Sequence, residues 1–139
     1  MGAECPRYRW LGALAHTDTR KRIQAAHVLV QPSRMEGGAH VVIEAVRSGT
    51  PVLASRIDGN VGLQGERYDG YFPPDDAAAL ASLPQQLRDE PAKLVQLHRQ
   101  CDALAALFDP AHETAAWRAL VGKPLGSPPA PHLSNREPP

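Results

Sequence analysis

The hydrophobic residues of this chain fall into short apolar runs, which alternate with longer stretches of helical periodicity. The runs end at turn-forming residues such as glycine, proline or serine, as short buried strands do. They predict strands over residues 9–12, 27–30, 51–55 and 70–72.

The intervening stretches repeat their apolar residues every three to four positions, which predicts amphipathic helices. Residues 40–47 are the clearest case, and Gly49 is expected to end that helix. Thr17 and Asp18 are candidate N-caps for an earlier helix. The predicted helices extend over residues 17–26, 40–47, 75–88, 91–107 and 111–121.

This alternation of strands and helices predicts an α/β fold, a Rossmann-like parallel sheet flanked by helices. Open sheets of this kind place ligands beyond the carboxyl ends of their strands, next to helix N-termini. The loops that follow Gly12, Val30 and Ala54 are therefore where chemistry is expected.

Composition narrows the class of protein. The 139 residues include 15 Lys+Arg and 15 Asp+Glu, so the formal net charge is zero, which disfavours a nucleic-acid or membrane-surface binder. Two cysteines, Cys5 and Cys101, suit a reducing compartment, and no apolar stretch is long enough for a membrane span. We expect a cytoplasmic protein with one ordered domain over residues 1–121 and a disordered, proline-rich tail over residues 122–139.

Residues 32–45 carry the strongest chemical signal, because they lead from a predicted strand into a predicted helix through a loop of small residues. Gly37, Gly38 and Ala39 lack bulk, so backbone N–H groups can approach an anion where the helix dipole is positive. A phosphate site is predicted here. Glu36 precedes the loop, and Glu44 lies on the helix, where a carboxylate can accept hydrogen bonds from sugar hydroxyls.

Each of these features has a simpler explanation when taken alone. Glycine-rich turns between a strand and a helix are common without a phosphate ligand. Glu44 is then a solvated helix residue, and Glu36 an acid that stabilises the helix dipole.

The spacing of Glu36 and Glu44, with Pro32-Ser33 before them and Gly49-Thr50-Pro51-Val52 after them, resembles the Glu-x7-Glu region of family 4 (group 1) retaining glycosyltransferases. Those enzymes have the GT-B architecture of two Rossmann-like domains. The resemblance extends over most of the expected ordered domain, with further matches at residues 10–12, 58–60 and 70–72.

The resemblance implies a role for each matching residue. Glu36 is the catalytic-site carboxylate that holds hydroxyls of the donor sugar, and Glu44 grips the ribose of the nucleotide. Backbone amides would bind the sugar and the diphosphate, and they belong to Gly37, Gly38, Ala39, His40 and Val41. The implied ligand is a nucleotide-sugar donor, with UDP-sugar favoured, and neither a metal nor another cofactor is implied.

The family also implies parts that this chain lacks. They are a basic pair early in the donor domain and an N-terminal acceptor domain, so the domain is expected to be N-terminally incomplete. The family more usually has Gly-Phe-Gly after the first glutamate, where this chain has Gly37-Gly38-Ala39, a difference that bears on which sugar fits. A narrower resemblance, over residues 33–44 and 55–60, is to bacterial selenosugar synthases, which would imply selenophosphate as acceptor.

Several other residues receive structural interpretations, and two other functions stay open. His16 is expected to be a surface-loop histidine, Arg34 and Arg56 solvated loop cations, and residues 58–62 a flexible loop. Trp10 and Trp117 are expected in the core or in helix packing, with an exposed Trp117 patch as the alternative. A catalytically inactive nucleotide-binding remnant is the second functional hypothesis. A NAD-type dehydrogenase is the third functional hypothesis, and it ranks below the other two because no G-x-G-x-x-G turn follows a strand.

Overall fold

A parallel sheet of three strands lies at the centre of the structure, a computed structural model that describes residues 6–36 and 39–122. β2 is the middle strand, with Leu29 opposite Val52 on one side and Ser55 opposite Phe72 on the other. The strands are β1 Leu29–Gln31, β2 Val52–Ser55 and β3 Tyr71–Phe72. All three carboxyl ends therefore meet at one edge of the sheet.

Helices follow and flank the strands, which confirms the predicted α/β class. The helix predicted over residues 40–47 has those bounds, and Gly49 just beyond it has a φ of 76°, the left-handed geometry of a helix stop. The helices of the described residues are α1 His16–Ala25, α2 His40–Arg47, α3 Asp58–Gln64, α4 Ala77–Asp89, α5 Pro91–Ala105 and α6 Pro110–Val121, with a short 3₁₀ helix at Ala106–Phe108.

The core forms around β2, whose four residues are all buried. α2 places Val42, Ala45 and Val46 against it because their spacing puts them on one helix face. α5 adds Leu97 and Cys101 to the same cluster. Burial on both faces explains why Val52, Leu53 and Ala54 of β2 are all apolar.

Tyr68 ties the start of β2 to the core. Its hydroxyl accepts a hydrogen bond from the Val52 N–H (3.1 Å) and donates one to the Val52 carbonyl oxygen (2.6 Å). The same oxygen lies 3.4 Å from the Cys101 sulfur. Burial raises the pKa of the Tyr68 hydroxyl and that of the Cys101 thiol, so both groups stay protonated at neutral pH.

Replacing Tyr68 with phenylalanine should lower the free energy of unfolding by about 1–3 kcal/mol, because a buried backbone N–H would lose its partner. Urea denaturation followed by circular dichroism measures this loss. Tyr8→Phe is the matched control, since Tyr8 is half exposed. Equal stability of Tyr68→Phe and the unmodified chain would show that the hydroxyl does not hold β2.

The strand predicted over residues 9–12 is wrong, because these residues form no strand and pair with none of the three strands of the sheet. A strand needs a neighbour for its backbone groups, and in the described residues β1 pairs only with β2. Trp10 is 79% exposed, so its predicted place in the core is also wrong. Gly12, where the sequence predicts a tight turn, has a φ of 66°, the left-handed geometry that favours glycine.

Two further local predictions were wrong, one at the start of α1 and one at α3. α1 begins at His16 after Ala15, so Thr17 and Asp18 lie within its first turn and do not cap it. Residues 58–62, predicted as a flexible loop, belong to α3. Asn60 of α3 is fully buried and fixes this helix in the fold, although Gly59 and Gly62 have low helix propensity.

The last helix is exposed along its described length. α6 buries none of its residues, and Trp117 is 59% exposed, so the prediction that Trp117 packs in the core or between helices is wrong. The exposed patch foreseen as the alternative is present. Of the predicted tail, only Gly122 is described, and residues 123–139 lie outside the described range, as does Cys5.

Candidate functional site

The candidate site lies at the carboxyl edge of the sheet, where the loop after β1 leads into α2. Residues 32–36 and Ala39 of this loop are described, whereas Gly37 and Gly38 lie outside the described range. The loop after β2, residues 56 and 57, runs into α3 beside it. Adjacent parallel strands thus bring two predicted loops together, as the topology requires.

Glu36 is held by two polar side chains, one from the end of β1 and one from its own loop. Its Oε1 accepts hydrogen bonds from Ser33 Oγ (2.8 Å) and from Gln31 Nε2 (3.0 Å). Gln31 Nε2 also lies 2.9 Å from Ser33 Oγ, so the three side chains form a closed group. Glu36 is half-buried, and these contacts fix the direction of its carboxylate.

A second set of hydrogen bonds ties this loop to β2 and α3. Ser55 Oγ donates to the Ser33 carbonyl oxygen, and Asn60 Nδ2 donates to the Ser55 carbonyl oxygen at 2.8 Å. Ser55 and Asn60 are both fully buried. Sequence reasoning missed their role, although Asn60 stood among the residues that carried the family resemblance.

α3 also packs directly against Glu36 through Gly59. A β-carbon on Gly59 would stand 1.8 Å from the Glu36 carbonyl oxygen, so no side chain fits there. An open groove of about 370 Å³ lies beside this contact. Its lining residues come from the loops after β1 and β2 and from the start of α3, and they are Arg34, Met35, Glu36, Arg56, Ile57, Asp58 and Gly59.

The start of α2 has the features expected of an anion site. Ala39 is its N-cap, is 5% exposed, and has no side chain that could cap the helix. No acidic residue lies in the first turn. Because the N-cap is an alanine, no side chain there accepts a hydrogen bond at the positive end of the helix dipole. The next two residues, His40 and Val41, are exposed and half-buried respectively.

Glu44 lies one helical turn after His40, and its carboxylate contacts α1. His16 Nε2 is 2.6 Å from Glu44 Oε1, which joins residues 28 positions apart. The side chain of Glu44 is 29% exposed, so it is open to solvent and to a ligand. His16 is a surface residue as expected, but it lies on a helix, and its predicted place in a loop is wrong.

The two arginines of the groove both have carboxylate partners. Arg34 Nε is 2.6 Å from Asp75 Oδ1, and Arg56 pairs with Glu66 while it lies over the Tyr71 ring at 5.4 Å. Both side chains are exposed, as predicted for loop cations. Burial raises the pKa of Tyr71 to about 12 against the opposing effect of Arg56.

Residues 6–36 and 39–122 contain no group of three or more His, Cys, Asp or Glu side chains arranged to hold a metal ion. None of the helices in that part of the chain combines the length and apolar character needed to cross a bilayer.

Most of the chain is similar to known proteins. Residues 6–105 match the model of the family described as glycosyl transferases group 1. A D-inositol 3-phosphate glycosyltransferase of Thermomonospora curvata is 36% identical over 107 residues, covering 73% of this chain and 22% of the relative. The enzyme of the same description from Mycolicibacterium vanbaalenii is 33% identical over 114 residues, covering 78% of this chain and 24% of the relative.

A third relative, from Corynebacterium kroppenstedtii, has the same description and is 37% identical over 83 residues, covering 56% of this chain and 18% of the relative. The chain thus spans about a fifth to a quarter of the length of the curated relatives it matches. The matched region contains all three strands, the loop before α2 and both glutamates. The chain therefore belongs to the glycosyl transferases group 1 family.

Proposed function

We propose that this chain forms the donor-binding part of a retaining glycosyltransferase and binds a nucleoside-diphosphate sugar, with UDP-sugar as the favoured donor. One observation carries the proposal. Two carboxylates flank a helix start that has no side-chain cap, Glu36 before it and Glu44 one turn inside it. A diphosphate supplies the missing acceptor there, and the carboxylates supply acceptors for the sugar and ribose hydroxyls.

In this proposal each part of the donor meets one part of the site. Glu36 accepts hydrogen bonds from the donor sugar, with Gly37, Gly38 and Ala39 offering backbone amides beside it. His40 and Val41 donate backbone amides to the diphosphate, and Glu44 accepts from the ribose. Glu36 is suited to a fixed ligand because Ser33 and Gln31 restrain its carboxylate.

Bond cleavage places negative charge on the departing diphosphate, and the proposal assigns its stabilisation to preorganised N–H dipoles at the start of α2. Retaining transfer in the family is described as departure of the diphosphate and attack by the acceptor on the same face of the sugar. The basic pair and the acceptor domain that complete such a site in the family have no matching residues in this chain.

The acceptor is proposed at two levels. The named relatives are D-inositol 3-phosphate glycosyltransferases, whose acceptor, as the name states, carries a phosphate. The narrower resemblance to selenosugar synthases favours selenophosphate for this chain. Both acceptors are oxyanions, so an acceptor of that class is the more general proposal.

The exposed apolar residues near the C-terminal end of the described range fit an interface with a second domain. Leu107, Trp117, Leu120 and Val121 are each at least 59% exposed. In the family, the last helix crosses back toward the acceptor domain. We therefore assign this patch to that domain, and we expect the isolated chain to self-associate through it.

The alternative function is that of a nucleotide-binding domain that catalyses nothing by itself. The two functions differ in whether a longer protein provides the remaining groups.

Calorimetric titration of the 139-residue chain with UDP, ADP and GDP tests the proposal. We expect weak binding that favours UDP, and no sugar transfer in a coupled assay that detects released UDP. Absence of binding for all three nucleotides would overturn the donor-site proposal. Transfer by this chain alone would contradict the need for an acceptor domain.

A further inference from the structure

The contact between His16 and Glu44 links the first helix to the proposed ribose site. The two side chains meet at 2.6 Å although 28 residues separate them in sequence. His16 is 73% exposed and Glu44 is 29% exposed at the side chain, so the contact lies at the protein surface. An exposed polar contact of this kind contributes little to stability, so stability alone does not explain it.

The backbone on both sides of the contact is anchored. Ile23 of α1 is 5% exposed within the core, and Thr50 Oγ1 donates to the Ile23 carbonyl oxygen at 2.8 Å. α2 is fixed by its buried face, including Val42 and Val46. The helices therefore present His16 and Glu44 to each other at a set distance.

We propose that His16 is a positioning residue that holds the Glu44 carboxylate for the ribose hydroxyls of the donor. Glutamate has three side-chain torsions, and one contact at its end removes most of that freedom. The ring N–H of His16 occupies one site on Oε1. A carboxylate has about four acceptor sites, so a pair of hydroxyls can still bind.

This inference rests on the proposed function, because it assigns Glu44 to the ribose. It adds that α1 belongs to the nucleotide site through a single side chain. It also predicts which contacts of the nucleotide are weakened by a substitution of His16. Affinity for the ribose hydroxyls depends on His16, and affinity for the diphosphate does not.

The experiment compares UDP with 2′,3′-dideoxy-UDP, which lacks the two hydroxyls, for the unmodified 139-residue chain and for His16→Ala. We expect His16→Ala to weaken UDP binding by about 3- to 10-fold, the effect of one hydrogen bond, and to leave dideoxy-UDP binding unchanged. His16→Gln should recover part of the loss, because its amide N–H can reach the carboxylate.

His112→Ala is the matched control, since His112 is an exposed histidine of α6, and it should bind both nucleotides as the unmodified chain does. Circular dichroism melting of each variant checks that it is folded. Equal weakening of both nucleotides by His16→Ala would make its role structural and overturn the inference, as would unchanged UDP binding.

Failure of the proposed function gives a different result. In that case the unmodified chain binds neither nucleotide, and the inference falls with it. If the unmodified chain binds UDP and Glu44→Ala weakens it while His16→Ala does not, the ribose role of Glu44 stands and only the inference is overturned.

Discussion

Replacing Glu44 with alanine is expected to weaken UDP binding by about 10- to 100-fold, because the ribose would lose its hydrogen bonds to a charged acceptor. The fold should survive, since the Glu44 side chain is partly exposed and its recorded contact is with the exposed His16. Calorimetric titration of the variant and the unmodified chain measures the change in dissociation constant.

Glu113→Ala provides the control for the loss of one negative charge. Glu113 lies in the first turn of α6 and is exposed, so its removal should leave UDP affinity unchanged. Equal UDP affinity of Glu44→Ala and the unmodified chain would show that Glu44 does not bind the ribose. Equal weakening by both variants would instead point to a general effect of charge.

Substitution of Gly59 by alanine should have the second large effect, on both stability and sugar binding. The new methyl group would stand 1.8 Å from the Glu36 carbonyl oxygen, so the loop or α3 must move. Overpacking of this kind costs about 1–3 kcal/mol of the free energy of unfolding. Because Glu36 is proposed to hold the donor sugar, the advantage of UDP-sugar over UDP in binding should also fall.

Gly62 in the same helix is the matched control. A β-carbon there meets nothing within 4 Å, so Gly62→Ala should leave UDP-sugar binding unchanged and stabilise the helix by about 0.5–1 kcal/mol. Urea denaturation and paired titrations with UDP and UDP-sugar measure both effects. If Gly59→Ala behaves like Gly62→Ala, the contact between α3 and the Glu36 loop does not position the sugar site.

The parts of the fold that depend on local sequence were predictable. α2 has the predicted bounds because its apolar residues recur on one face and Gly49 ends it. β2 differs from its prediction only by Pro51, which cannot donate to the ladder. The predicted strand at residues 27–30 shifts to Leu29–Gln31, since pairing to β2 sets its register.

The parts that depend on distant neighbours were not predictable from one sequence. α3 contains two glycines, so its sequence resembles that of a loop. The hydrogen bond from Asn60 to the Ser55 backbone helps to hold the helix, and the sequence does not reveal it. Residues 9–12 have strand-like composition, but in the described residues they have no strand to pair with.

The candidate site also has parts that were predictable from local sequence and parts that depend on distant contacts. Glu36 and Glu44 could be proposed as site residues from their spacing and from the loop and the helix that carry them. Their contacts were missed, because Gln31 reaches Glu36 around a turn of the chain and His16 reaches Glu44 from another helix. A single sequence records residue types along one line, and it does not record which side chains meet.

The hydrogen bonds that run from Asn60 through Ser55 to the loop of Ser33 and Glu36 have a consequence for sugar selectivity at the proposed donor site. A loop tied to the buried centre of the sheet cannot reshape itself around different sugars at low cost. Discrimination among donors then depends on steric fit in the groove rather than on adaptation. Exchange of one sugar for another would require changes in α3 as well as in the loop.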